Sequence, residues 1–370
     1  MNGFSTYILL AQVAAILTPL ITSFAPPILL LEPQTFLQSH GVSVIESNSI
    51  GKNIYNNTLC IDDQESQLLD GYATISNSNT IHEATIQSRM PIGELPRHIA
   101  FICDGNSRWS KRQSLPKSMG HAAGAERVIN VIKALQQYQS SYNNHVEMDQ
   151  YPDSSSPAIS QCNRIEYCTL YAFSTENWSR SQDEITAIFK LMERMAIQYR
   201  SHESVQSGKI QIDLLGNLED ERIPSNAKKE MQRLQRESKA ASDKRRDELG
   251  NSANILTICL AINYGARADI LQAAQKLAQS IASGELSMDE IAVMNESEIS
   301  KRLCTAHIPD PDLIVRTSGE TRLSNFLLWD AAYAELYFTD LMWPDFDDDA
   351  LEEALVWYGK RKRRFGGRNE

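Results

Sequence analysis

The stretch Asp104-Gly105-Asn106-Ser107-Arg108-Trp109 sets a carboxylate, a glycine turn and a guanidinium side by side. A carboxylate there can hold Mg²⁺, the glycine lets backbone N–H groups approach an anion, and Arg108 can fork onto phosphate oxygens. Ordinary turn chemistry also accounts for Asp-Gly-Asn. Further along, Arg316-Thr317-Ser318-Gly319-Glu320-Thr321-Arg322-Leu323-Ser324 brackets a glycine and hydroxyls with two arginines, a pattern suited to a diphosphate. A structural Arg paired with Glu320 is the competing reading for one of the two. Ser174-Thr175-Glu176-Asn177-Trp178-Ser179-Arg180 reads as a substrate lip, or as a helix-entry loop in which Trp178 packs. Asn263-Tyr264-Gly265-Ala266-Arg267 suits a helix N-terminus near a ligand or a plain tight turn. Glu335, inside the apolar run Ala331 to Phe338, needs a cation, a hydrogen bond or a metal.

These groups need a frame that brings them together. From Pro96 the chain alternates strand-like apolar runs at 98–103, 165–173, 209–215, 254–263, 312–316 and 334–339 with helical patterns. That alternation predicts an α/β fold, a single domain with a six-stranded, mostly parallel sheet surrounded by helices. Val128, Val131, Ile132 and Leu135 mark one apolar helix face. Ile185, Ile188, Phe189, Met192 and Tyr199 mark another, opened by the capping-box pattern Ser181-Gln-Asp-Glu184. Asp347-Asp348-Asp349 begins the last helix and Lys360 to Arg364 close it, both runs matching the helix dipole. The run 139–163 and the charged run 236–253 read as surface insertions. Ligands of open parallel sheets bind beyond the carboxyl ends of the strands, where the chemically active motifs fall. Leu170, Phe173, Ile188, Phe189 and Met192 would wall the site, although core residues look the same. A polar mouth beside an apolar channel suits a substrate with a diphosphate head and a hydrocarbon tail.

The 370-residue chain carries 36 basic and 47 acidic side chains, a net charge of −11, and is 42% apolar. This supports a packed core and argues against a general nucleic-acid binder. Six cysteines without a CxxC pair argue against a zinc ribbon or disulfide framework. Residues 1–31 contain no charged side chain, and Tyr7 to Leu17 form an apolar core shorter than the roughly 20 residues needed to span a bilayer. They read as a targeting or anchor segment. Ser23-Phe24-Ala25-Pro26 resembles the cleavage motif of plastid presequences in algae with complex plastids. Residues 24–94, however, carry eight acidic and two basic side chains, against the basic bias of transit peptides. A plastid, or else the endoplasmic reticulum membrane, is the expected destination. Residues 32–94 read as a polar linker, and 95–370 as the catalytic domain.

HIAFICDGNSRW (98–109), GHAAGAERV (120–128), TLYAFSTENWSR (169–180), INYGAR (262–267) and RTSGETRLSNFLLWDAAYAELYFTD (316–340) together resemble the cis-prenyltransferases, the undecaprenyl and dehydrodolichyl diphosphate synthase family. The resemblance covers most of 96–367. It implies a six-stranded sheet enclosing a hydrophobic tunnel, and sequential condensation of isopentenyl diphosphate onto an allylic diphosphate such as farnesyl diphosphate, with Mg²⁺ and cis geometry. It further implies that Asp104 is the Mg²⁺ ligand, and that Gly105, Ser107 and Arg108 cradle the allylic diphosphate with Arg180 near it. Asn106, His121, Ser174 and Asn177 are implied in proton removal and diphosphate orientation, without singling out the base. Trp109 and Trp178 would position the substrates. Arg316, Arg322 and Ser324 would grip isopentenyl diphosphate, and Glu335 would support the metal or a dimer interface.

Two departures stand out. Lys117 occupies a position where many bacterial members carry arginine, keeping charge but losing a bidentate grip. Thr321 replaces a histidine common in bacterial members. The tail Arg364-Phe365-Gly366 matches the Arg-x-Gly element that reaches the partner subunit's site, which implies a self-sufficient homodimer; membrane association would come through the product or the N-terminus. A non-catalytic accessory subunit of the same fold is the alternative from another class, but such subunits lose the first-motif Asp. A phosphate-binding hydrolase would need a nucleophile–base set that does not stand out.

Overall fold

A computed structural model describes residues 94–146 and 164–361. The strands are β1 (His98–Ile102), β2 (Tyr167–Ser174), β3 (Ile210–Leu215), β4 (Leu256–Tyr264), β5 (Leu313–Arg316) and β6 (Glu335–Phe338). The helices are α1 (Asn106–Arg112), α2 (Lys117–Val146), α3 (Gln182–Arg200), α4 (Glu203–Gln206), α5 (Ser225–Leu249), α6 (Ala266–Ala282), α7 (Met288–Ala292), α8 (Ser297–Ser300) and α9 (Asp348–Gly359). The sheet runs β3-β4-β2-β1-β5-β6 and every pair in it is parallel. All six strand-like runs of the sequence thus become strands, and all carboxyl ends share one rim.

Burial explains why these runs pair. Each residue of β1, β5 and most of β4 is covered on both faces, which is why they read as continuous apolar segments rather than alternating ones. α2, α3, α5 and α9 supply Val131, Leu135, Ile188, Phe189, Met231, Leu234, Leu351 and Leu355 to one large core. A smaller cluster on the other face gathers Ala100, Ile102, Ala261, Ile314 and Phe326.

The run 236–253 is not an insertion. It is the second half of α5 followed by a short 3₁₀ turn. Its charges face water, while Ser238 and Ser242 are fully buried. The Ser238 hydroxyl accepts from Ile212 N at 2.9 Å and the Ser242 hydroxyl donates to Gly208 O at 3.1 Å. Two small hydroxyl residues therefore let a charged helix lie close on β3, a contact that apolar periodicity does not register. Residues 139–146 of the other expected insertion prolong α2. The segments 1–31 and 32–93, the stretch 147–163 and the tail with Arg364 and Gly366 lie outside the described residues. Among the described residues no helix is long and apolar enough to cross a membrane.

Candidate active site

At the end of β1 the chain turns through Gly105, whose φ of 105° is open to glycine and strained for other residues. A Cβ there would lie 2.6 Å from Ser318 Oγ and 3.1 Å from Met342 Cβ. The turn brings Asp104 to the head of α1, with Thr317 Oγ1 accepting from its backbone N–H at 3.0 Å and donating to its carbonyl at 2.8 Å. β5 lies beside β1 with Arg316 opposite Ile102, so Arg316 reaches the same point from the neighbouring strand. Its Nη2 donates to Asp104 Oδ2 at 3.0 Å, and Arg108 Nη2 meets the same oxygen at 3.2 Å. Two guanidinium groups thus converge on one carboxylate.

Arg316 is nearly sealed, with 4% of its side chain exposed. Its Nη1 donates to Ser324 Oγ at 2.6 Å and to the Arg322 carbonyl. Glu320 does not pair with this buried arginine; its carboxylate bridges Arg322 and Arg108, the latter at 3.3 Å. Buried polar atoms without partners are rare in folded proteins. Four are found among the described residues, and three of them, Asn106 Oδ1, Arg316 Nε and Ser318 Oγ, surround this corner. Of the three residues, Asn106 lines the cavity described below.

Across the mouth, Ser181 caps α3 by accepting from Glu184 N at 3.4 Å. The reciprocal half of the capping box is not made. The Glu184 carboxylate instead takes Arg180 at 2.8 Å, Lys117 at 3.1 Å and His121 at 3.2 Å. Burial pushes that carboxyl up, and the hydrogen bonds and charges of Lys117 and Arg180, with the His121 hydrogen bond, more than offset it, holding its pKa below the ordinary range. Burial, reinforced by Arg180, lowers the His121 pKa, which leaves its imidazole neutral near pH 7. Asn177 Oδ1 accepts from Ser174 N at 3.0 Å, so the amide has its nitrogen to offer a ligand.

Behind these groups lies a cavity of about 360 Å³. Asp104, Asn106, Arg108, His121, Asn177 and Arg180 line its mouth, and Val128, Leu170, Met192, Met231, Leu234 and Ile258 its depth. α3 contributes Ile188, Leu191, Met192, Met195, Ala196 and Tyr199, a single helical stripe. From Ile188 to Tyr199 that stripe extends about 16 Å at 1.5 Å per residue.

The structure brings together Asp104, Gly105, Asn106, Ser107, Arg108, His121, Asn177 and Arg180 around one cavity. Arg316, Arg322 and Ser324 adjoin it through Asp104 and Glu320. Lys117 touches it only through Glu184, and Ser174 only through Asn177. The two tryptophans are packing residues. Trp109 Nε1 donates to Asp345 at 2.7 Å, fastening α1 to the segment that follows β6. Trp178 donates to Asn263 Oδ1 at 2.8 Å, stacks on Phe189, and is covered by Arg222 at 4.5 Å. Glu335 stands apart. It is level with Leu313 and hence with Ile99, at the amino end of the sheet, about 17 Å of strand from Asp104. Its carboxylate pairs with Arg361 at 3.2 Å.

A family model described as "Putative undecaprenyl diphosphate synthase" matches residues 156–366. The chain belongs to this prenyltransferase family. An isoprenyl transferase of Heliobacterium mobile is 36% identical over 285 residues, covering 77% of this chain and 93% of the relative. A ditrans,polycis-undecaprenyl-diphosphate synthase of Shewanella oneidensis, farnesyl-diphosphate specific, is 36% identical over 80% of this chain and 90% of its own. The crystal structure of lavandulyl diphosphate synthase from Lavandula x intermedia, in complex with dimethylallyl diphosphate, superimposes with TM-score 0.60 at 27% identity, covering 74% of this chain and 99% of that one. The enzyme is therefore a prenyl transferase.

Proposed function

We propose that the enzyme condenses isopentenyl diphosphate repeatedly onto an allylic diphosphate such as farnesyl diphosphate, each new double bond being cis. The observation that carries this reading is the cavity itself: a mouth bearing Arg108, Arg180 and Asn106, continuous with a long apolar interior. The allylic diphosphate would lie against the α1 N–H groups and Arg108, with Arg180 beside it and its tail along the α3 stripe. Arg316, Arg322 and Ser324 would take the second diphosphate. Loss of the allylic diphosphate leaves a cation that water would quench, and the apolar wall excludes water. The guanidinium groups stabilise the departing charge. A neutral His121 and the Asn177 amide are placed to orient the head groups.

The Asp104 carboxylate at the mouth fits Mg²⁺, which takes one or two protein carboxylates and fills its remaining positions with phosphate oxygens and water. Asp104 would hold it, and the ion would supply charge neutralisation at the leaving diphosphate.

The position of Glu335 on an edge strand supports a homodimer. β6 is a sheet edge, flanked by the exposed apolar Tyr333, Leu336 and Leu341. A two-fold axis pairing two β6 edges antiparallel would carry the partner's copy of this carboxylate toward the carboxyl rim, and the Arg364-Phe365-Gly366 tail would serve the same exchange. The uncharged first 31 residues support delivery to a plastid or to the endoplasmic reticulum membrane, testable by the location of a fluorescent protein fused to residues 1–94.

The direct test incubates the purified full-length enzyme with labelled isopentenyl diphosphate, Mg²⁺ and geranyl, farnesyl or geranylgeranyl diphosphate, then sizes the products. Chains longer than the starter are expected, and they should vanish in Asp104→Ala. No elongation from any starter refutes the reading and favours a non-catalytic accessory subunit; full turnover by Asp104→Ala refutes the metal assignment.

A further inference from the structure

We propose that Asn325, a residue with no assigned part in the reaction, is a positioning residue: with Glu176 it forms a clasp that sets Ser324 and Arg316 for the homoallylic diphosphate. The inference deepens the reading above and rests on it.

The loop from β5 to β6 is held in an unfavourable shape. Ser318, Ser324, Asn325 and Leu327 all have positive φ, at 82°, 47°, 63° and 44°. Two of them are consecutive, and residues with a Cβ enter this region at an energetic cost that the surroundings must offset. The surroundings converge on Asn325. Its Nδ2 donates to Glu176 Oε1 at 2.9 Å, its Oδ1 accepts from Arg267 N at 2.9 Å, and its carbonyl accepts from Ala266 N at 2.8 Å. One residue therefore ties together the loops that leave β2, β4 and β5. The fit is close: a Cβ on Gly265 would lie 2.5 Å from Thr175 Oγ1 and 2.7 Å from Asn325 Nδ2.

Ser324 is the adjoining residue, with its hydroxyl accepting from Arg316 Nη1 at 2.6 Å and its carbonyl accepting from the Tyr171 hydroxyl at 3.4 Å. Arg316 in turn holds Asp104. Releasing Asn325 would let Ser324 leave the left-handed region and withdraw the acceptor that aims Arg316. The Asp104–Arg108 corner, built on Gly105 and Thr317, would keep its shape.

Asn325→Gly is the clean probe, because glycine keeps positive φ without strain and removes only the side-chain bonds. Asn325→Asp keeps the acceptor for Arg267 N but sets a second carboxylate against Glu176. Glu176→Gln/Asn325→Asp rebuilds the bond with donor and acceptor exchanged. In the full-length enzyme, Asn325→Gly and Asn325→Asp should each raise KM for isopentenyl diphosphate about tenfold, with allylic KM unchanged and kcat within about twofold. The double variant should recover most of that loss. Unchanged KM in Asn325→Gly overturns the proposal, as do equal rises in both KM values. So does a double variant no better than Asn325→Asp, which remains decisive if Asn325→Gly does not fold. Should the wild-type enzyme perform no condensation, the substrate reading fails separately, and binding of inorganic diphosphate by calorimetry reads the clasp: about tenfold weaker in Asn325→Gly and restored in the double variant if it holds, unaffected if it does not.

Discussion

Gly124, on α2, is packed against the amide of Asn106, on α1: a Cβ at Gly124 would lie 2.8 Å from Asn106 Cγ and overlap Oδ1. The same Oδ1 is one of the buried atoms without a partner. The missing methyl group thus makes room for an amide that faces the cavity. Gly124→Ala should push Asn106 out of place, costing about 1–3 kcal/mol of stability through overpacking. Turnover should fall by at least about tenfold, because a displaced polar group at the reacting end loses orientation. Thermal melts and steady-state rates check the two effects together; normal kcat in the folded variant would show that Asn106 has no part in the chemistry.

Arg322 and Arg108 share the Glu320 carboxylate, while the proposed reading assigns them to different diphosphate grips. Arg322 is the more exposed, at 62% of its side chain, and makes no contact with Asp104. Arg322→Ala should raise KM for isopentenyl diphosphate by about tenfold or more, as expected for losing a charge-assisted hydrogen bond, and shift the allylic KM far less. Equal shifts in both would contradict the division of labour between the two loops.

What the sequence revealed and what it hid both have physical reasons. All six strands were legible because buried parallel strands are continuous apolar runs, and each active loop was found by looking just past a strand end. Spacing also pointed to the Asp104, Arg108 and Arg316 groups, and the co-occurrence of all the motifs outweighed the turn and ion-pair readings that each allowed alone. Glu184 escaped notice because its position, three residues after Ser181, is fully explained by helix capping; only its side chain's turn toward Arg180, Lys117 and His121 reveals otherwise. Asn325 escaped because a left-handed backbone leaves no mark on hydropathy. Glu335 was legible as an acid needing a partner, but which end of the sheet it occupies depends on register, and register is a property of the assembled sheet.

Glu184 anchors Arg180, Lys117 and the neutral His121 at the mouth while its own side chain is only 9% exposed. Glu184→Gln removes the charge that holds Arg180 and Lys117 in place. It also removes the partner that keeps His121 from falling further, since burial and Arg180 already depress its pKa. The allylic KM should rise by roughly three- to tenfold, and His121 should titrate at a lower pH than in the wild type when followed by NMR. A His121 titration moving upward would show that Glu184 is not its dominant anionic partner.

His98 gives the fold a defined acid sensitivity. It is fully buried at the start of β1, with Nδ1 2.7 Å from the Pro309 carbonyl and Nε2 2.8 Å from Thr169 Oγ1. A carbonyl only accepts, so Nδ1 carries the proton and Nε2 accepts from the threonine hydroxyl. This neutral tautomer satisfies both partners, whereas a second proton would set an N–H donor against the Thr169 hydroxyl and place a charge in a fully buried site. Burial lowers the pKa from 6.5 to about 4. Between those values the unfolded chain binds a proton that the native chain refuses, so this contribution is intact above about pH 6.5 and is lost as the pH falls toward 4. The loss amounts to about 1.4 kcal/mol per pH unit, of the order of 3 kcal/mol across the window. His98→Asn, less stable at neutral pH, should lose less on acidification, with a residual slope from His121, whose pKa burial also lowers. Urea melts of both proteins at pH 7 and pH 5 decide the matter: parallel losses of stability would mean that His98 is already protonated in the native enzyme at pH 5 or that other groups control its acid response.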